Sequence, residues 1–158
     1  MFQRIVSGGQ TGVDRAALDW AIGQGIVHGG WCPRGRKAED GPIAPRYLLW
    51  ETESQDYLER TRRNVEGSDG TLILSRGPIQ GGTLNTQRFV EESGKHGHYL
   101  QLDSEHGDAL VADLLAWLER HAIAVLNVAG PRESERPGIY AQTIRFLDRL
   151  SAALAQSS

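Results

Sequence analysis

The stretch "IVSGGQTGVDRAALDWAIGQG", Ile5–Gly25, decides the fold of this 158-residue chain. A short apolar run breaks into glycines and small polar residues, and a helical stripe of apolar residues begins at Val13. This pattern is typical of a strand that turns tightly into a helix. A capping box formed by Thr11 and Asp14 is expected to start that helix. Three glycines in one turn also allow a ligand to approach the backbone closely.

Further apolar runs predict more strands, with helical patterns between them. The predicted strands are Arg4–Ser7, Val27–Cys32, Thr71–Ser75, Tyr99–Leu102 and Ala124–Ala129. Helices are predicted after Gly12, over Tyr57–Val65, over Thr83–Gly94, around Leu110–Leu118 and from Pro137 onward. Most of the strand runs do not alternate, as expected for strands covered on both faces. The chain is therefore predicted to adopt an α/β, Rossmann-like three-layer fold, with a mainly parallel sheet of about five or more strands and helices on both faces.

One connection, Pro33–Ser54, is longer than the loops expected between the alternating strands and helices. Its three prolines forbid a long helix, while Tyr47 and Trp50 argue against disorder. We expect a folded lid or interface segment within a single domain that spans residues 1–158. Trp31 and Trp50 are candidates either for stacking on a ligand or for burial in the core or a subunit interface.

Composition narrows the class of protein. The net charge of −3 argues against a protein built to coat nucleic acid. A single cysteine, Cys32, cannot form an internal disulfide, which fits a cytoplasmic location. No run of apolar residues reaches the length of a membrane span, so no membrane partner is expected.

Three of the predicted strands end in unusual loops, and these loops are the candidate site. They are "SGGQTG" after the first strand, "SRGPIQGGT" after the third and "AGPRESERPG" after the fifth. Ligands of open α/β sheets bind beyond the carboxyl ends of the strands, so the three loops should lie along one edge. The candidate residues for binding an anionic cofactor are Gly8, Gly9, Gln10, Thr11, Gly12, Asp14, Arg15, Arg34, Lys37, Ser75, Gly81, Gly82, Thr83, Arg132, Glu133 and Ser134.

Each candidate also has a purely structural interpretation. The glycines can simply form turns, and Asp14 can serve only in the capping box. Arg15 lies in the first helical turn, where the dipole disfavours a cation unless a bound anion or a paired carboxylate offsets it. Ser134 can cap the last helix, whereas Arg132 stands where a phosphate clamp would be placed. Arg34, Arg36 and Lys37 could close over an anion from the long segment.

The motifs do not support several common kinds of catalytic or cofactor site. "GPIQGGT" imitates a P-loop but lacks its lysine, which disfavours nucleoside triphosphate hydrolysis. The sequence contains neither GxGxxG nor GxSxG. The five histidines show no metal-ligand spacing, so no protein–metal ligand is predicted. Because the catalytic motifs above are absent or incomplete, no catalytic residue is predicted either.

Taken together, "SGGQTGVDRAALD", "CPRGRKAEDGPI", "GTLIL" with "GGT", and "GPRESERPGIY" resemble the molybdenum carrier family. This family lies within the SLOG superfamily, which also contains the lonely-guy phosphoribohydrolases and the lysine-decarboxylase-like proteins. The resemblance covers nearly the whole chain. It implies a Rossmann-like sheet, a homodimer or homotetramer, and a cleft for a phosphorylated, nucleotide-like ligand. In the carrier that ligand is the molybdenum cofactor, an anionic pterin, and a molybdoenzyme or insertase partner would receive it.

One departure separates this chain from the phosphoribohydrolases. Those enzymes resemble each other in P-G-G-x-G-T-x-x-E, whose glutamate serves cleavage of a glycosidic bond. Here Thr86 stands where that glutamate would be. The sequence therefore favours a carrier over a nucleotide N-glycosidase, although Asp14 or Glu133 could supply a carboxylate. A nucleotide-sensing module and a single-strand DNA binder remain as alternatives, and the acidic charge disfavours the DNA binder.

Overall fold

Parallel strands and the helices that connect them account for most of the chain. The computed structural model describes residues 2–103 and 105–156. In chain order its strands are β1 (Arg4–Val6), β2 (Val27–Gly29), β3 (Trp31–Cys32), β4 (Trp50–Glu51), β5 (Gly70–Ser75), β6 (His96–Gln101) and β7 (Val125–Ala129). The helices are α1 (Val13–Gln24), α2 (Tyr57–Glu66), α3 (Gly81–Ser93), α4 (Gly107–Arg120) and α5 (Ile139–Gln156).

The main sheet has five strands in the order β2-β1-β7-β5-β6, and every pairing is parallel. Helices α1, α4 and α5 supply the large apolar cluster on one face, while α2 and α3 pack together on the other. All six residues of β5 are buried, as its unbroken apolar run predicts. The predicted Rossmann-like, three-layer α/β fold is confirmed.

The position of β7 determines where a site can form. Along the chain, β1 leads outward to β2, and β5 leads outward to β6. Strand β7 then returns to lie between β1 and β5. The loops that follow these three central strands therefore meet at the point where the strand order reverses, which is the usual ligand position in such sheets.

The prediction of one strand over Val27–Cys32 is wrong. The strand breaks at Gly30, which has φ +127°, and a Cβ at that position would lie 2.3 Å from the Ser7 carbonyl oxygen. This backbone turn, which only glycine adopts readily, directs Trp31 and Cys32 away from the main sheet. They pair instead with Trp50 and Glu51 in a two-stranded parallel sheet.

Smaller differences occur at other element ends. Strand β6 begins at His96, three residues before the predicted Tyr99, because Gly70–Ser75 of β5 pairs along its whole length. Helix α5 begins at Ile139 rather than at Pro137. Helix α3 begins at Gly81, two residues before the predicted Thr83.

The long segment 33–54 is folded against α1. Its side chains Ala38, Ile43 and Tyr47 form a small apolar cluster with Leu18 and Cys32. Arg36 holds the segment together from inside, since its guanidinium donates to the carbonyls of residues 43, 44, 47 and 49. The Arg36 guanidinium therefore bonds the backbone of its own segment, in place of the anion contact considered from the sequence.

A half-buried carboxylate, Asp19, fastens this segment to two helices. Asp19 of α1 accepts hydrogen bonds from the hydroxyls of Tyr47 and Tyr140, each at 2.6 Å, and from Arg46 at 2.9 Å. Burial, and then the bond to Asp19, raises the pKa of both tyrosines to about 12. The hydroxyls therefore remain protonated donors throughout the neutral range.

We expect Tyr47→Phe to lower the free energy of unfolding by about 1 kcal/mol, because Asp19 loses one of its donors. Urea unfolding of the variant measures this. Tyr99→Phe, on a ring that is 40% exposed on β6, is the control and should change stability by less than about 0.5 kcal/mol. Equal losses in the two variants would contradict a fastening role for Tyr47.

Candidate ligand-binding site

A cleft of about 300 Å³ opens at the carboxyl edge of the main sheet. Four segments line it: the turn after β1, the first turns of α2, the start of α3, and the end of β7 with the loop that follows it. Its lining residues are Gly8, Gln10, Asp14, Asp56, Tyr57, Leu58, Arg60, Thr61, Asn64, Gly81, Gly82, Thr83, Asn85, Thr86, Asn127, Val128, Ala129, Gly130, Arg132 and Glu135.

The three glycine-bearing loops meet here, as the sequence predicts. Gly8, Gly82 and Arg132, one from each loop, all line the cleft. The first and last loops are also joined directly: the Val13 N–H donates to the Pro131 carbonyl at 3.3 Å, and the Glu133 N–H donates to the Thr11 hydroxyl at 3.1 Å. These two hydrogen bonds therefore fix the position of the first loop relative to the last.

Helices α1 and α3 both begin near the cleft, but the N–H groups of Val13 and Arg15 in α1 already donate to the carbonyls of Pro131 and Gln10. Helix α1 has Gly12 at its N-cap and α3 has Gln80, and neither position makes a capping side-chain bond. The first N–H groups of a helix have no partner within the helix, and the helix dipole makes this end positive. The amides of Gly81, Gly82 and Thr83 are thus suited to an anion.

The predicted capping box is wrong. The Thr11 hydroxyl donates to the Glu39 carboxylate instead of bonding the helix backbone. Asp14 accepts a weak 3.4 Å bond from the Gln10 N–H, which lies outside the helix. Gly12, with φ +80°, occupies the N-cap position of α1, so Thr11 lies one residue before the position from which it would cap the helix.

A buried ion pair forms the floor of the cleft. Arg60 and Asp14 are each about nine-tenths buried, with 3.9 Å between the guanidinium Nη1 and the carboxylate Oδ2. The same Nη1 donates to the Gly8 carbonyl at 2.8 Å, so Arg60 also fixes the glycine turn. Burial raises the pKa of Asp14 to about 6, against the opposing effect of Arg60. Burial lowers the pKa of the Arg60 guanidinium.

The raised pKa of Asp14 predicts a pH-dependent stability. The unfolded carboxyl titrates near pH 3.9, so between about pH 4 and pH 6 the folded state holds the extra proton. Because the folded state gives up this proton as the pH rises through that window, the free energy of unfolding falls. We expect the unfolding free energy of the wild type, relative to Asp14→Asn, to fall by roughly 1 to 3 kcal/mol from pH 4 to pH 7. Urea unfolding at both pH values measures it, and a constant difference would contradict the assignment.

Three cations surround the ring of Tyr57, which lines the cleft. The guanidinium carbons of Arg60 and Arg132 lie 5.0 and 5.6 Å from the ring centroid, and the Lys37 ammonium lies 4.8 Å away. Arg132 also pairs with Glu135 at 3.1 Å. Its Nη1 lies 3.9 Å from the Glu39 carboxylate. The cations at Tyr57 are therefore partly balanced by carboxylates, and the predicted Lys37 lies among them although it does not line the cleft.

Several predicted residues are occupied elsewhere. Arg15 makes a two-bond ion pair with Asp40 at 2.7 and 3.1 Å and donates to the Gly9 carbonyl, so a paired carboxylate offsets the helix dipole. A Cβ at Gly9 would meet Ile43 and Leu49 of the long segment. Arg34 is exposed and Ser75 is buried, and neither residue lines the cleft.

The last loop differs from expectation in its capping residue. Glu133, not Ser134, caps α5: its carboxylate accepts from the N–H groups of Gly138 at 2.7 Å and Tyr140 at 3.0 Å. Ser134 donates from its hydroxyl and its N–H to Glu39. Burial opposes ionisation of Glu39, but the hydrogen bonds from Ser134 and Thr11 hold its pKa below the usual value.

Sequence reasoning missed the contribution of α2. Tyr57, Arg60, Thr61 and Asn64 all line the cleft and follow the i, i+3, i+4, i+7 spacing of one helix face. The sequence predicts a helix over Tyr57–Val65 but assigns none of its residues to the site. Its polar residues at helical spacing were the available signal, because a polar stripe on a packed helix faces either water or a polar site.

The tryptophans and histidines lie away from the cleft. Trp31 and Trp50, with ring centroids 6.4 Å apart, flank a separate groove of about 170 Å³ beside Arg63. His96 stacks on His121 and His98 stacks on Trp117. Within residues 2–103 and 105–156, His, Cys, Asp and Glu form no group of three or more suited to a metal ion. No helix in that part of the chain is long and apolar enough to cross a bilayer.

A parallel sheet with a polar, cation-bearing cleft at its switch point defines a Rossmann-like α/β protein. The chain belongs to the circularly permutated YpsA SLOG family (cpYpsA), whose family model matches residues 5–151. This confirms the SLOG membership inferred from the motifs.

A solved structure gives a closer comparison. The chain is 44% identical to a "putative molybdenum carrier protein" from Syntrophus aciditrophicus SB, with 94% of each chain covered and a TM-score of 0.92. No curated protein matches the chain. The similarity supports a carrier or binding role.

Proposed function

We propose that this protein binds and carries a phosphorylated, anionic heterocyclic cofactor, and that the molybdenum cofactor is its ligand. The convergence of three loops and the uncapped N-terminus of α3 on one cleft carries this proposal. Such a cleft offers amide donors and guanidinium groups, which bind phosphate without needing a nucleophile. The similarity to a protein named as a molybdenum carrier supports the choice of ligand.

The lining residues suit the two parts of such a ligand. The amides of Gly81, Gly82 and Thr83 with the Arg132 guanidinium would hold the phosphate. The buried Arg60 would balance further negative charge, and the neutral side chains Asn85 and Asn127 would bond the heterocycle. The bound cofactor would supply its own redox chemistry to a later enzyme, while this chain would orient it and limit its contact with water.

Native mass spectrometry of protein purified anaerobically tests the proposal, with the released small molecule identified. We expect a pterin or its oxidation product to leave the wild type, and Arg132→Gln to retain at least tenfold less of it. Arg145→Gln, an exposed site on α5, is the matched control and should load like the wild type. A preparation that releases only a nucleoside monophosphate would contradict the choice of cofactor.

The proposal also covers the oligomeric state, the location and the receiving partner of the protein. We expect a homodimer or homotetramer in the cytoplasm that delivers its ligand to a molybdoenzyme or an insertase. The free, buried Cys32 fits a reducing compartment. Analytical ultracentrifugation measures the assembly, and a monomer at all micromolar concentrations would contradict it.

One observation favours a second candidate, a nucleotide N-glycosidase. Asp14 is a buried carboxyl with a pKa near 6 that lines the cleft beside Arg60, which suits acid–base work. Glu133 does not line the cleft, and Thr86, which replaces the phosphoribohydrolase glutamate, does. Release of ribose 5-phosphate from nucleoside monophosphates tests this candidate. Turnover that disappears in Asp14→Asn would establish the hydrolase in place of the carrier.

A further inference from the structure

The Glu135 side chain lies beside both groups to which the proposed function assigns the phosphate. Its Oε1 is 3.1 Å from Nε of Arg132. A Cβ added at Gly81, the first residue of α3, would lie 3.5 Å from its Oε2. Glu135 also lines the cleft. A carboxylate of the protein therefore occupies the space between the Arg132 guanidinium and the N-terminus of α3.

Hydrogen bonds to the backbone fix this position of Glu135. Its N–H donates to the Arg132 carbonyl at 3.1 Å, and its own carbonyl accepts from Nη1 of Arg136 at 2.8 Å. Arg136 also donates to the carbonyls of Arg76 and Pro78, at 2.6 and 3.0 Å, which joins the last loop to the loop before α3. The backbone of Glu135 is therefore fixed next to the start of α3.

The carboxylate itself is bound more weakly than the backbone. Within residues 2–103 and 105–156 the ion pair with Arg132 is its one polar contact, whereas the Glu133 carboxylate accepts two backbone N–H bonds. The side chains of Arg132 and Glu135 are 33% and 27% exposed, and ion pairs with this much exposure contribute little to stability. Rotation about the side-chain bonds of Glu135 can therefore carry the carboxylate into water while the backbone stays in place.

The charges that line the cleft make this carboxylate a competitor for any bound anion. Among the described lining residues the cations are Arg60 and Arg132. Arg60 pairs with Asp14, and Arg132 pairs with Glu135. Two anions in contact with one guanidinium repel each other strongly at such short range. A phosphate that binds Arg132 and the first amides of α3 must therefore displace the Glu135 carboxylate.

We propose that Glu135 is an internal competitor for the phosphate group of the ligand and sets the affinity of the cleft for it. This inference rests on the proposed function. A phosphate monoester carries about two negative charges near neutral pH and three acceptor oxygens, so it can replace a carboxylate at Arg132 and still bond the α3 amides. The competition keeps the affinity below what these donors alone would give, which suits a protein that must release its ligand to another.

Isothermal titration calorimetry with inorganic phosphate and with GMP tests the proposal. We expect Glu135→Gln to bind both probes at least about fivefold more tightly than the wild type, because the competing charge is gone. Glu135→Ala should show a similar gain, although alanine offers the probe no hydrogen bond. A gain in Glu135→Gln alone would mean that the new amide binds the probe, and it would overturn the inference.

A matched variant separates direct competition from the general charge of the cleft. Asp56→Asn removes one negative charge from the same lining, and asparagine can still cap α2 by accepting from the Leu58 N–H. We expect its gain to be about twofold or less. An equal gain in Asp56→Asn, or unchanged or weaker binding in Glu135→Gln, would overturn the inference while leaving an anion-binding protein. If neither probe binds the wild type or any of these variants, the proposed function fails and the inference fails with it.

Discussion

Gly12→Ala is expected to lower the free energy of unfolding by more than about 3 kcal/mol. Gly12 has φ +80°, a conformation that residues with a Cβ rarely adopt. An added Cβ would also lie 2.4 Å from the Pro131 carbonyl oxygen and 2.8 Å from the Glu133 nitrogen. These are backbone atoms, so no side-chain rotation relieves the contact. The variant must separate the first loop from the last.

The same helix provides a matched control for this substitution. Gly23 of α1 is exposed, and a Cβ there would meet nothing within 4 Å. Alanine is the better helix former, so Gly23→Ala should raise stability by up to about 1 kcal/mol. Chemical denaturation of both variants measures the contrast. Similar stabilities for the two proteins would show that the contact between Gly12 and the last loop does not constrain the fold.

The second large effect is expected for Arg60→Met. Methionine keeps most of the side-chain volume but removes the partner of Asp14 and the donor to the Gly8 carbonyl. Breaking a buried ion pair from one side typically costs about 3 to 5 kcal/mol, because the remaining Asp14 must either stay charged without a partner or take up a proton. The variant should also bind the proposed ligand more weakly, since the turn at Gly8 loses its anchor.

Two comparisons make this prediction specific. Arg62 lies on α2 like Arg60, is more than half exposed and pairs with Glu66 one turn away, so Arg62→Met should cost less than about 0.5 kcal/mol. The double variant Asp14→Asn with Arg60→Met has no unpaired charge, so it should recover at least about 1 kcal/mol relative to Arg60→Met alone. Additive losses would mean that the two side chains act independently.

The fold was predictable because its strongest signals are local. The unbroken apolar run of β5 and the apolar stripe of α1 specify buried, parallel elements without reference to the rest of the chain. The break at Gly30 was not predictable, because it depends on a distant contact with the Ser7 backbone. The pairing of Trp31 with Trp50 depends on how segment 33–54 folds back, which no local pattern encodes.

The candidate site was predictable at its loops but not on its helix. Glycine turns at the ends of parallel strands indicate the edge where Gly8, Gly82 and Arg132 meet. Arg60 was missed because a charged residue in a charged helix is usually solvated, and its burial is a property of tertiary packing. The partner of Arg15 was also unpredictable, since Asp40 lies 25 residues away in an irregular segment.

The central position of β7 in the sheet determines when the sheet can be completed during synthesis. Strands β1 and β5 leave the ribosome well before the strand that each must pair with, so half of the sheet waits for residues 125–129. Pairings so distant in sequence form slowly. The cleft also needs Arg132 and Glu135. A nascent chain therefore has no complete cleft until most of its length has been translated, and the proposed ligand would bind only after that point.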